Sequence, residues 1–79
     1  MRYFMNNDEK LGYVIMILRK ERKLTQEKIS EKAGIDYKYF GRIEHGKSSV
    51  TFSKLVKISQ ALEVSLIDLM TLFEKHSEY

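Results

Sequence analysis

The sequence predicts an all-α domain of five short helices. Three observations carry that prediction. The 79 residues include no proline and only four glycines, so helix breakers are scarce. Apolar residues recur three and four apart in successive segments, as one buried helix face requires. A residue able to cap a helix (Asn6, Thr25, Asp36, Thr51 or Ser65) stands ahead of each segment. No strand pattern and no internal repeat interrupts the series.

The first helix starts near Asn7, because Asn6 and Glu9 have the spacing of a capping box. Leu11, Val14, Ile15 and Leu18 share its inner face, Met16 and Ile17 widen that face, and the helix fades near Arg22. Thr25 caps the second helix, whose core residues are Ile29, Ser30 and Ala33. Gly34 ends it, since glycine takes a left-handed conformation cheaply. Ile35 plugs the turn. Asp36 caps the third helix, with Phe40 and Ile43 inward, and Gly46 stops it. Lys47, Ser48 and Ser49 make a polar connection. Thr51 caps the fourth helix, with Leu55, Ile58 and Leu62 inward and Phe52 and Ala61 beside them. Ser65 and Asp68 form a capping box for the fifth, which carries Leu66, Ile67, Leu69, Met70, Leu72 and Phe73. One domain over residues 8–74 is expected, between a loose lead at 1–7 and a tail at 75–79.

Composition narrows the functional classes. A domain this small has a thin core and usually needs a disulfide, a metal or a partner. The chain has no cysteine and two histidines, His45 and His76, neither at ligand spacing, so no metal or cofactor site is expected. His45 belongs to a helix end, where a cation or donor is favourable and can approach a phosphate. His76 belongs to a frayed tail. Residues 1–10 carry too many charges for a signal peptide, and the apolar run from Val14 to Leu18 is too short to cross a bilayer, so a cytoplasmic location without membrane contact is the expectation. There is no nucleophile–base pair, carboxylate cluster or phosphate-binding glycine loop, so catalytic residues are not expected. Of the net charge of +3, the stretch from Arg19 to Lys47 carries nine Lys/Arg against five Asp/Glu. That asymmetry reads as a solvated helix surface or as a basic face for an acidic polymer.

The second and third helices, joined through Ala33-Gly34-Ile35, form a helix-turn-helix over residues 25–45. In such a pair the second helix can lie in a DNA major groove with its N-terminal residues on base edges. Tyr37, Lys38 and Arg42 fall there, away from the inward Phe40 and Ile43.

The segments LGYVIMILRKERKLTQEKISEKAGI, DYKYFGRIEHGKSS and TFSKLVKISQALEVSLIDL, from Leu11 to Met70, resemble the Cro/C1-type helix-turn-helix family of regulators. The resemblance implies a lambda-repressor-like DNA-binding fold. It implies that Gln26 contacts a phosphate or braces a base-reading side chain, with the helix-start amides facing a phosphate. It places Tyr37, Lys38 and Arg42 at base-reading positions and Lys47, Ser48 and Ser49 in a loop that often meets the DNA backbone. Tyr39 is assigned either to DNA or to packing against the second helix. Arg19 and Glu44 match a salt bridge that supports the third helix, as do Ser30, where the family usually has alanine, and the Gly34 turn. Lys28 and Lys32 read as solubilising charges.

The chain departs from the family at three places. Val50 replaces the proline that often precedes the fourth helix. Tyr37 is neither small, polar nor arginine, so it either touches a thymine methyl or hydrogen-bonds a phosphate. Gly41 costs about 1 kcal/mol inside a helix relative to alanine, and allows either the DNA backbone or a neighbouring side chain close approach.

One face of the fifth helix is enough to pack on the third and fourth helices, and its apolar surface exceeds that face. A homodimer on the fourth and fifth helices, using Leu66, Ile67, Leu69, Met70 and Phe73 (dimerisation helix 66–74), uses that surplus. The alternative is one deeper monomeric core. The partners expected are a double-stranded DNA operator, palindromic or nearly so, and a second copy. Contact with RNA polymerase stays open, and no small-molecule ligand is expected. Within the family the compact length, with little after the fifth helix, resembles controller proteins of restriction–modification systems, which activate and then repress their own promoter. A phage or plasmid repressor of the same fold is the alternative. A small protein-interaction module is the alternative of another class.

Overall fold

The structure, a computed structural model, describes residues 5–76. Five helices follow in order: α1 (Asn7–Glu21), α2 (Gln26–Ala33), α3 (Tyr37–Glu44), α4 (Phe52–Ala61) and α5 (Leu66–Lys75). No strand occurs among the described residues. Of the expected lead and tail, residues 1–4 and 77–79 lie outside the described part. Within it, Asn7 already belongs to α1 and Lys75 to α5.

Each helix begins at a side chain that accepts a backbone N–H otherwise left unpaired. Asn6 accepts from Glu9 at 2.8 Å, and the Glu9 carboxylate accepts the Asn6 N–H at 3.0 Å, closing the box. Thr25 accepts from Lys28, Asp36 from Tyr39, Thr51 from Lys54 and Ser65 from Asp68, all within 3.0–3.2 Å. The helix ends divide. Gly34 takes φ 68° after α2, whereas α1 and α4 are followed by left-handed residues that are not glycine, Lys23 (φ 57°) and Glu63 (φ 56°).

The core gathers one face of every helix: Val14, Ile15 and Leu18 from α1, Ile29 and Ala33 from α2, Phe40 and Ile43 from α3, Leu55 and Ile58 from α4, and Leu69 from α5, with Ile35 in the turn. Three expectations need correction. Phe52 is 71% exposed at the first turn of α4 and lies off the inner face. α5 rests chiefly on α1 and also on α4, rather than on α3 and α4. The His76 ring is no frayed end, since it meets the Tyr13 ring edge-on at a centroid distance of 5.5 Å.

The crossing of α1 over α3 depends on Gly12. A Cβ built there would sit 2.2 Å from the Ile43 carbonyl oxygen and 2.7 Å from that of Glu44. Both obstacles are backbone, so neither can turn away, and α1 lies directly on the last turn of α3. Gly12→Ala must therefore lift one helix off the other. It is expected to lower stability by about 3 kcal/mol, at the upper end for overpacking. Urea unfolding followed by circular dichroism checks this, and an unchanged midpoint would contradict the close crossing.

Candidate nucleic-acid interface

The turn between α2 and α3 is built from local bonds. The Ile35 N–H donates to the Ser30 carbonyl at 2.9 Å and the Gly34 N–H to that of Glu31 at 3.2 Å, which ends α2 at the left-handed glycine. Ser30 is buried with its hydroxyl donating to the Glu27 carbonyl at 2.9 Å, so the close helix approach leaves no orphaned polar group.

α3 then presents two faces. Phe40, Ile43 and Glu44 are buried. Tyr37, Lys38 and Arg42 are exposed, with His45 just beyond, and the Tyr37 side is 51% accessible. Lys38, Gly41, Arg42, His45 and Lys47 line an open recess of about 350 Å³ on this outer face. Its charged lining is cationic, which suits a polyanion.

The buried face is held by one carboxylate. Arg19 donates to Glu44 through Nε at 2.7 Å and through a terminal nitrogen at 3.0 Å, and its other terminal nitrogen donates to the Leu24 carbonyl at 2.8 Å. Gln26 Nε2 donates to the same carboxylate at 2.8 Å. The side chains of Arg19 and Glu44 are only 11% and 2% exposed. Gln26, expected to brace a base-reading residue or touch a phosphate, here braces Glu44. One amide hydrogen and the amide oxygen remain for other partners.

The connection after α3 is held from both sides. Arg42 Nε donates to the Ser48 hydroxyl at 2.9 Å, and a terminal nitrogen donates to the Lys47 carbonyl at 3.2 Å. The Tyr39 hydroxyl donates to the Ser49 carbonyl at 2.9 Å, and Ser49 Oγ donates to Asp8 at 2.8 Å. Lys54 Nζ lies 5.7 Å from the Tyr39 ring centroid. Tyr39 is therefore engaged with the connection and with Lys54 of α4. With its hydrogen committed to Ser49, it can donate to a phosphate only by releasing that bond. Asp8 and Lys54 join the edge of this surface through the fold, and no spacing in the sequence marks them.

Elsewhere, Leu66, Ile67, Met70, Thr71 and Glu74 line a shallow, mainly apolar recess along α5. Ile67 is 78% exposed. Leu66, Met70 and Phe73 are half-buried, and the Phe73 ring carries Lys10 Nζ at 4.3 Å. Leu69 is a correction: it is fully buried in the chain's own core and offers a partner nothing. Among the described residues no His, Cys, Asp or Glu side chains cluster as a metal would need, and no helix is long and apolar enough to cross a membrane.

A capped helix pair crossing at a left-handed glycine, with a cationic outer face, defines a helix-turn-helix protein. The helix-turn-helix family model matches residues 15–69, and the chain belongs to that family of DNA-binding regulators. It is similar to the control protein C.MunI of Mycoplasma sp, 38% identical over 72 residues, which covers 87% of this chain and 97% of that one. It is also similar to the immunity repressor of Bacillus phage phi105, 36% identical over 56 residues, 71% of this chain and 39% of that one. Among solved structures it superposes on the restriction–modification controller protein C.Esp1396I, crystallised as a tetramer with its natural 35 base-pair operator. That match has a TM-score of 0.85 and 30% identity, covering 90% of this chain and 93% of that one.

Arg19→Ala leaves the buried Glu44 carboxylate with Gln26 alone among these donors. Stripping one partner from a buried ion pair costs about 3–5 kcal/mol. Urea unfolding is expected to show a loss of that size, and a loss below about 1 kcal/mol, typical of an exposed pair, would contradict the network.

Proposed function

We propose that this chain is a controller of restriction–modification genes. It acts as a homodimer that binds a palindromic or nearly palindromic operator and regulates its own promoter. The observation that carries the DNA-binding surface is the outer face of α3, with Lys38 and Arg42 exposed opposite the buried Phe40, Ile43 and Glu44. In this reading Lys38 and Arg42 read base edges. Tyr37 touches a thymine methyl or a phosphate, and Lys47, Ser48 and the α2 amides near Gln26 meet the backbone. Tyr39 flanks the same surface. The controller reading draws its support from similarity to C.MunI, 38% identical, and to C.Esp1396I, 30% identical with a TM-score of 0.85. The phage similarity keeps a repressor of a phage or plasmid as the second reading.

The homodimer reading rests on the exposed Ile67 beside half-buried Leu66 and Met70, with Phe73 further along α5. Two recognition helices then face one side of the duplex about one turn apart, roughly 34 Å. Doubling the cationic surface steepens the salt dependence of binding.

Selection of bound duplexes from a random pool, followed by gel shift on the selected site, tests this reading. Arg42→Ala is expected to weaken operator binding by about 1–3 kcal/mol and to relax preference at one base pair. Lys47→Ala should weaken all duplexes alike and reduce the salt slope by about one. The double reversal Lys38→Glu with Arg42→Glu should abolish selective binding, and unchanged selectivity would remove α3 as the reading helix. Sedimentation should give twice the chain mass of 9.4 kDa, falling to one chain with Ile67→Glu. A wild-type monomer at micromolar concentration would overturn the dimer.

A further inference from the structure

Gly41 is the one glycine of the four whose residue type the fold does not require. Gly12 is demanded by the backbone of α3, and Gly34 and Gly46 by left-handed φ values of 68° and 72°. Gly41 sits in ordinary helix, and a Cβ built there would meet only Gln26 Oε1 at 3.8 Å, an ordinary contact. Alanine therefore fits the free protein and is the better helix former. No neighbouring side chain has taken the space that glycine leaves.

Three side chains near it are each held by hydrogen bonds. Gln26 is held by Glu44 at 2.8 Å. Arg42 is held by Ser48 and the Lys47 carbonyl. His45 Nδ1 donates back to the Gly41 carbonyl at 2.8 Å, which also accepts the His45 N–H at 3.1 Å. The recess at Gly41 thus stays open, with Lys38, Arg42, His45 and Lys47 around it. Gly41 also stands midway along that face, three residues from Lys38 and four from His45, so it shares the face with both.

We propose that Gly41 is a specificity-determining residue, at which the backbone of α3 meets the floor of the major groove and the edge of a base pair fills the recess. This rests on the reading of α3 as the recognition helix. A Cβ would hold the helix off by up to roughly one carbon–carbon bond, about 1.5 Å. Base-edge hydrogen bonds, confined to about 2.7–3.2 Å, do not survive that displacement. Phosphate contacts from long Lys and Arg side chains adjust to it. The residue therefore separates operator from other DNA.

The test compares wild type, Gly41→Ala and Gly41→Leu by thermal unfolding and by titration onto two duplexes at one salt concentration. One duplex carries the site that wild type selects from a random pool, and the other a scrambled sequence. The expected result is a Tm for Gly41→Ala at or above wild type, with operator affinity lower by about tenfold or more, further reduced in Gly41→Leu. Affinity for the scrambled duplex should stay within about twofold of wild type, as a phosphate-dominated term would. Gly41→Ala binding the operator as tightly as wild type would overturn the proposal, leaving Gly41 a weak helix former only. Equal losses on both duplexes would overturn it in favour of a backbone contact, and a lowered Tm would show that the fold itself needs glycine. A wild-type protein that selects no site fails before any variant is made, and takes the functional reading down with the inference.

Discussion

The Glu44 carboxylate is the constraint on which the geometry of the recognition surface depends. It is buried at the end of α3 and receives three hydrogen bonds, two from Arg19 of α1 and one from Gln26 at the start of α2. A buried carboxylate is costly without such donors, so the partners stand or fall together. The Gly34 turn joins the end of α2 to the start of α3, while Gln26 and Glu44 tie the start of α2 to the end of α3. The helix pair is thereby pinned at both ends, and Arg19 fastens it to α1 and to the Leu24 carbonyl. Gly12 sets how closely α1 lies on that same last turn. The position of α3 is thus determined from beneath, and its outer face takes no part in the core.

The same economy extends to the connection after α3. Ser49 binds Asp8 of α1 through its hydroxyl and Tyr39 of α3 through its carbonyl, while Arg42 binds Ser48 and Lys47. The segment proposed to meet phosphates is therefore ordered before DNA arrives, which lowers the entropy that binding must supply. Arg42 has a double position: it braces the connection in the free protein, and its remaining guanidinium donors are those proposed to reach a base edge. The exposed apolar side chains of α5 belong to the opposite need, since a small core gains stability from a partner.

Much of the fold was legible because its signals are local. Each of the five helix starts could be read from one capping residue, and Gly34 announced the crossing. Features that depend on residues distant in the chain were not legible from spacing, and the Arg19–Glu44 pair came only through the family resemblance. Gly12 looks like an indifferent helix residue until the backbone of α3 lies against it. α5 is apolar on several sides, so its sequence could not separate the buried Leu69 from the exposed Ile67; packing on α1 decided that. Phe52 was read inward from its apolar character, yet the first turn of α4 turns it to solvent. Lys23 and Glu63 end helices in the left-handed region without the glycine that would have marked them. In the site, Lys38 and Arg42 were legible from helical spacing, whereas the Tyr39–Ser49 and Ser49–Asp8 bonds join elements that only the folded chain brings together.

The central claim is that a rigidly supported α3 offers its outer face and the following connection to duplex DNA. Amide chemical-shift mapping during titration with a selected operator duplex tests it most directly. The account predicts the largest changes at Gln26, Lys38, Gly41, Arg42, Lys47 and Ser48, with the buried Phe40 and Ile43 moving little. Changes centred on α4 and α5, with residues 37–48 silent, would contradict it.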